Sequence, residues 1–295
     1  IPEIASPHKS GIPSLCMDRT EHRFLLAGGM DAIISIYDLS KWGKDEATHH
    51  YNINQRNLHK PVAQSLRVAF NSERGHASSI VAAQWHPVDT GAFLSGARDG
   101  AVLVWDTQAM TPVVKWKPME NKILSCLDLS RSLDRSLSLV AIGSFDTTIV
   151  KLLDMRSGGA SHSLLGHMRG ITQLKWSPTC DVILMSGGLD GTIRLWDIRK
   201  SGSRACMAIL NRNTHELNHS RRYQVDYAHL RKKKTIMEGP NNYHSVENKT
   251  IVSHGGPISA MSFTPDGHFI ISTGKDGKLQ VWDLRTNANL ITLNF

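Results

Sequence analysis

Three segments of this chain superpose without a gap: "SGARDGAVLVWD" (Ser95 to Asp106), "SGGLDGTIRLWD" (Ser186 to Asp197) and "STGKDGKLQVWD" (Ser272 to Asp283). In each, a serine precedes an aspartate by four positions and the aspartate precedes a tryptophan by six. His76, His167 and His254 lie 23, 23 and 22 residues before those aspartates, and nine residues after each histidine stands Trp85, Trp176 or Phe263, followed by x-Pro. A period of this kind constrains folding more than composition does, because a short repeated unit buries its apolar face only against copies of itself.

The unit reads as a small antiparallel sheet. Apolar alternation in "SSIVAAQWHP" and "GGPISAMSFTP" marks a strand stopped at a proline turn. A strand ending in Ser follows, then an Asp turn usually continued by Gly, then the alternating strand to Trp-Asp. Asp-Gly between strands signals a hairpin, since glycine accepts the positive φ of a tight turn. About four strands per repeat are expected. His76, Ser95, Asp99 and Trp105, with His167, Ser186, Asp190, Trp196 and His254, Ser272, Asp276, Trp282, are expected to form buried networks. In these the carboxylate accepts from imidazole and hydroxyl, and the indole N–H donates to the hydroxyl.

Two weaker copies exist. His8 to Asp31 again spans 23 residues, and "GGMDAIISIYD" ends in Tyr37-Asp38 with Ala27 in the serine position. "AIGSFDTTIVKLLD" keeps Asp146 but has Ile142 for Ser, leucines for Trp and one extra residue, so that repeat is expected to lack the network.

These repeats, with Gly75-His76, Gly166-His167 and the Trp-Asp ends, resemble the WD-repeat family of β-propellers. The resemblance implies an all-β propeller, one domain over 1–295, with blades at about 8–39, 76–107, 121–155, 167–198 and 254–285 and insertions at about 41–74 and 201–250. Five blades are legible where the family usually has seven. The chain is therefore expected to be part of a seven-bladed ring or to close with five.

Longer stretches, "SPHKSGIPSL", "FLLAGGMDAIISIYDL", "AAQWHPVDTGAFLSGARDGAVLVWDTQ" and "MRSGGASHSLLGHMRGITQLKWSP", are similar to the Cockayne syndrome group A family of WD-repeat factors. "WHPVDTG" is the most specific, since the general repeat does not require it. The resemblance implies a nuclear, non-enzymatic substrate receptor of a cullin-4 RING ubiquitin ligase in transcription-coupled nucleotide excision repair. Its implied partners are the ligase adaptor, of the damage-specific DNA-binding protein large-subunit type, and repair and transcription proteins as substrates. The alternative is a WD-repeat scaffold for chromatin or RNA-processing complexes.

The mark of such receptors is Trp-Asp-x-Arg. Trp196-Asp197-Ile198-Arg199 and Trp282-Asp283-Leu284-Arg285 match it, Leu153-Asp154-Met155-Arg156 keeps Asp and Arg, and the other two repeats do not match. Arg156, Arg199 and Arg285, with Asp197 and Asp283, are the expected adaptor contacts, since a guanidinium fork suits carboxylates and carbonyls. The competing reading is that these arginines only bridge neighbouring blades. On the opposite face Met30, Arg98, Phe145, Leu189 and Lys275, each just before a turn aspartate, form either a partner-binding rim or a plain exposed one.

The net charge of +8 is uneven: residues 201–250 hold nine Lys or Arg against four acids, including "RKKK" at Arg231 to Lys234. That segment is either a solvated loop or a nucleic-acid or import signal. The four cysteines, Cys16, Cys126, Cys180 and Cys206, have no C-x-x-C spacing, so neither a disulfide framework nor a zinc knuckle is implied. No metal-ligand cluster, nucleophile elbow or phosphate loop occurs, so no cofactor and no catalysis is expected. With 40% apolar residues but no run of about eighteen, no membrane span is expected.

Overall fold

The computed structural model describes residues 3–4, 6–41, 62–63, 65–69, 75–119, 122–131, 138–212 and 252–295. Five four-stranded antiparallel sheets follow one another along the chain. The first blade is β2 (Ser14–Met17), β3 (Phe24–Gly28), β4 (Ile34–Asp38) and β6 (Ser65–Ala69), while β1 (Glu3–Ile4) and β5 (Val62–Ala63) pair as a separate short parallel ribbon. The second blade is β7 (Ile80–Trp85), β8 (Ala92–Ala97), β9 (Val102–Asp106) and β10 (Thr111–Trp116). The third is β11 (Leu124–Leu129), β12 (Leu139–Ser144), β13 (Ile149–Asp154) and β14 (Ala160–Leu165). The fourth is β15 (Ile171–Trp176), β16 (Ile183–Gly188), β17 (Ile193–Asp197) and β18 (Cys206–Ile209). The fifth is β19 (Ile258–Phe263), β20 (Phe269–Gly274), β21 (Lys278–Asp283) and β22 (Ala288–Asn294). No α-helix occurs among the described residues.

The middle strands of the second, third and fourth blades are largely buried on both faces because each of these blades is sandwiched between two others. All five residues of β17 are buried, whereas no residue of the outer strand β10 is fully buried. Four apolar clusters cement the arc, one at each junction between successive blades. Leu26, Ile34 and Ile36 of the first blade meet Ile80, Phe93 and Trp105 of the second, and Leu94 and Val102 meet Leu124, Val140 and Ile142 of the third. Val150, Leu152 and Leu164 meet Trp176, Leu184 and Trp196 of the fourth, and Met185, Ile193 and Leu195 meet Ile258, Ile270 and Trp282 of the fifth. Among the described residues no such cluster joins the fifth blade to the first, and Ile271, Ile291 and Leu293 of the fifth stay 40–56% exposed.

One sequence column makes these junctions possible. At Gly96 a Cβ would stand 2.7 Å from Leu124, and at Gly187 2.8 Å from Ile258 Cγ2, so the next blade's first strand sits where a side chain would be. Gly28 and Gly143 occupy the same place in the first and third blades, but the fifth carries Thr273 there.

The spans expected as insertions need correction. Segment 41–74 delivers β6 and segment 201–250 delivers β18, each the outermost strand of a blade. Outer strands bury little, so they carry weak alternation, and they follow the Trp-Asp end at variable distance. "RKKK", at 231–234, lies outside the described residues.

Candidate functional site

Each blade has one end built by the His segment and the Asp turn, and an opposite end built by the x-Pro turn and the Trp-Asp turn. At the first end the expected networks assemble. His167 Nδ1 stands 3.0 Å from Asp190 Oδ2, His167 Nε2 2.6 Å from Ser186 Oγ, and Trp196 Nε1 2.7 Å from the same Oγ. His76 to Asp99 and Ser95 measures 3.2 and 2.7 Å, with Trp105 2.7 Å from Ser95. His254 to Asp276 and Ser272 measures 3.0 and 2.8 Å, with Trp282 2.8 Å from Ser272.

The expected wiring was wrong in one link: the serine hydroxyl meets the imidazole, not the carboxylate. An indole N–H only donates, so Ser Oγ accepts it and donates its own O–H to Nε2, leaving Nδ1–H to donate to Asp. The carboxylate is used elsewhere. Asp190 accepts the backbone N–H of Met168 at 2.9 Å and of Thr192 at 3.0 Å, which ties the His segment to the hairpin turn.

Electrostatics fit neutral histidine beside ionised aspartate. Burial lowers the pKa of His167 and His254, against the opposing pull of Asp190 and Asp276. Burial alone would raise Asp99, but hydrogen bonds from His76 and the N–H groups of Ala101 and Ala77 hold it at about 2. Asp190 is depressed in the same way, chiefly by His167. Ser95 and Ser186 are 0% exposed and Ser272 1%, so no substrate reaches these hydroxyls and the triad-like trio is structural.

The first blade regains what its sequence lacks. Ala27 pairs across the sheet with Ser35, and Ser35 Oγ lies 2.8 Å from His8 Nε2, while His8 Nδ1 lies 3.1 Å from Asp31. The hydroxyl has moved one rung sideways onto the paired strand. Tyr37, in the tryptophan position, bonds Ser6 Oγ at 3.3 Å instead. In the third blade the N–H of Ile123, the residue just before β11, donates to Asp146 at 3.1 Å. Ile142 and Leu153 there are buried in the apolar cluster facing the second blade.

At the opposite end, the aspartate in the Trp-Asp position of each of the five blades accepts the N–H two residues on. The distances are 3.0 Å in Asp38–Ser40, 2.7 Å in Asp106–Gln108, 2.9 Å in Asp154–Arg156, 3.0 Å in Asp197–Arg199 and 2.8 Å in Asp283–Arg285. Arg199 then folds back, with Nε and Nη2 at 2.9 and 2.8 Å from the two oxygens of Asp197. This contact holds the Asp197 carboxyl below its usual range. Arg285 approaches Asp283 only to 3.6 Å, and Arg156 has no ion pair among the described residues. The side chains of Arg199 and Arg285 are 71% and 76% exposed, and neither reaches another blade.

Sequence reasoning missed Arg23. From the residue before β3 it clamps Asp38 with bonds of 2.8 and 2.6 Å, doing for the first blade what Arg199 does for the fourth. Its offset from Asp38 has no counterpart in the other repeats, so only the β3–β4 pairing could reveal it.

On the face of the Asp turns, Met30, Arg98, Leu189 and Lys275 each donate a backbone N–H to the segment leading into their blade's first strand, at 2.8–2.9 Å. Met30 is 52% and Phe145 41% exposed, Arg98 and Lys275 are exposed and Leu189 is half-buried. They ring the face without touching one another through any hydrogen bond.

The WD domain, G-beta repeat family matches residues 68–106, 158–197 and 245–283, the parts carrying the second, fourth and fifth blades' motifs. The chain is a WD-repeat β-propeller. WD repeat-containing protein ATCSA-1 of Arabidopsis thaliana is 29% identical to it, over 99% of this chain and 70% of the relative. Radiation-sensitive protein 28 of Saccharomyces cerevisiae is 25% identical over 70% of this chain, and pre-mRNA-processing factor 19 of Oryza sativa 27% identical over 55%. This WD-repeat propeller spans only 38% and 31% of the length of those two relatives. A radiation-sensitive protein and a pre-mRNA-processing factor thus both appear among its relatives.

Proposed function

We propose that this propeller is the substrate-recognition subunit of a cullin-4 RING ubiquitin ligase acting in transcription-coupled nucleotide excision repair. The observation that carries the reading is the pair of exposed guanidinium forks, Arg199 and Arg285, repeated at the same turn of consecutive blades and both 71% or more exposed. Asp197 fixes Arg199 along one edge, leaving Nη1 for a partner's carboxylate or carbonyl. The full-chain similarity to ATCSA-1 and to the Cockayne syndrome group A family supports the direction of that reading. Substrate would sit on the opposite face, at Met30, Arg98, Phe145, Leu189 and Lys275, so that the propeller supplies proximity while other subunits supply chemistry.

The test is capture of the cullin-4 adaptor from nuclear extract, with Arg199→Ala, Arg285→Ala run beside the unaltered protein and folding checked by circular dichroism. Strong capture by the unaltered protein and weak capture by the folded variant is the expected result. Equal capture by both makes the arginines parts of their own turns, and capture by neither favours the RNA-processing scaffold suggested by the likeness to pre-mRNA-processing factor 19.

A further inference from the structure

The inner strands β2, β7, β11 and β15 enclose a cavity of about 350 Å³, open at the same end of the blades as Arg199 and Arg285. Arg19, Arg131 and Lys175 line its mouth, each from a different blade. Arg131 and Lys175 also line a second cavity of about 210 Å³ that runs on to the turn of the fifth blade at Thr264. The two make one cationic track across the central opening.

Two of its three cations, Arg19 and Arg131, are not balanced from within. The carboxylate on the cavity wall, Asp128, is 4% exposed and already engaged: it accepts Gln84 Nε2 at 2.7 Å and the Trp176 N–H at 2.7 Å, with Lys175 Nζ at 3.6 Å. Arg19 and Arg131 make no ion pair among the described residues. Arg131 is half-buried, and burial followed by the Arg19 charge pulls its pKa down, the mark of a partly dehydrated cation facing a like charge. Such a group is costly until an anion arrives, and a cleft with low-dielectric walls concentrates anions. The wall also offers apolar surface, with Leu15 62% and Met17 38% exposed.

We propose that this opening is a binding site for an acidic segment of a partner protein, whose carboxylates pair with Arg19, Arg131 and Lys175 while an intervening apolar side chain covers Leu15 and Met17. Nucleic acid fits less well, because bases need exposed aromatic faces to stack on. The indoles lining the two cavities, Trp85 and Trp176, are 8% and 1% exposed. The site is separate from the forks of Arg199 and Arg285, and its test needs no ligase subunit.

A fluorescein-labelled hexapeptide of alternating Glu and Leu is titrated with the purified chain by anisotropy, beside the same peptide with Gln for Glu. The Glu peptide is expected to bind and to weaken with salt, and the Gln peptide to bind at least about tenfold more weakly, the worth of charge-assisted bonds in a cleft. Arg131→Gln and Arg19→Gln, each checked for folding, are expected to weaken the Glu peptide about tenfold. Lys117→Gln, which removes an exposed charge on β10's far end, is expected to change it less than twofold. Equal binding of both peptides overturns the proposal without any variant. So do unchanged affinity in both arginine variants, equal loss in Lys117→Gln, and displacement of the peptide by an oligothymidine that binds more tightly.

Discussion

Ser186→Ala tests the hydroxyl at the centre of the fourth blade's network. Removing Oγ strips two groups at once: His167 Nε2 loses its donor, 2.6 Å away, and Trp196 Nε1–H loses its acceptor, 2.7 Å away. Both rings are buried, at 5% and 0% exposure, so water does not replace the bonds. An orphaned buried polar group costs about 1–3 kcal/mol. Two of them, with little room left behind by one oxygen, come to about 3 kcal/mol, a large fraction of the 5–15 kcal/mol typical of a fold. At a urea slope of about 3 kcal/mol/M the midpoint drops by about 1 M, read by tryptophan fluorescence. A double-mutant cycle sharpens the claim. In Ser186→Ala, Trp196→Phe the indole donor is gone, so the combined loss should fall short of the sum of the single losses by about 1 kcal/mol. A midpoint shift below about 0.2 M, or strict additivity in the cycle, refutes the reasoning.

Two further outcomes follow from the same networks. Since burial lowers the folded pKa of His167 and His254, the unfolded chain takes up those protons first; stability is full above about pH 6.5 and declines as pH falls below it. Asp99, held at about 2, and the likewise depressed Asp31, Asp190 and Asp276 contribute in full above about pH 4 and lose that contribution as pH falls towards 2. Thermal midpoints between pH 8 and 3 should therefore fall in two stages, and a flat profile from pH 7 to 5 would contradict the neutral, buried imidazoles. In the first blade, Ser35→Ala should cost about 1–2 kcal/mol by chemical denaturation. Adding Ala27→Ser should recover most of it, because the two positions face each other across β3 and β4. No recovery means that His8 is held by something other than that hydroxyl.

The repeat was legible because four residue types recur at offsets set by one hydrogen-bonded hairpin, and any shift of register would break every link. Ser35 and Arg23 were hidden for the converse reason: the partner they satisfy lies across a strand pair, where chain distance carries no signal. The outer strand β18 was hidden because a half-exposed strand needs little alternation. The cationic opening was invisible too. Arg19 and Arg131 follow the ends of β2 and β11 while Lys175 lies inside β15, and only the circular stacking of blades brings them to one mouth.

The glycine column gives the propeller a direction in time as well as in space. Gly96 lies in the second blade and the Leu124 that fills its hollow comes later in the chain; the same holds for Gly28 with Ile80, Gly143 with Ile171 and Gly187 with Ile258. As synthesis proceeds from the N-terminus, each of the first four blades completes an empty socket before the strand that plugs it has been made. Each newly finished sheet thus becomes the template on which its successor is cast, and a bulky residue in one socket would stall every later blade along with its own.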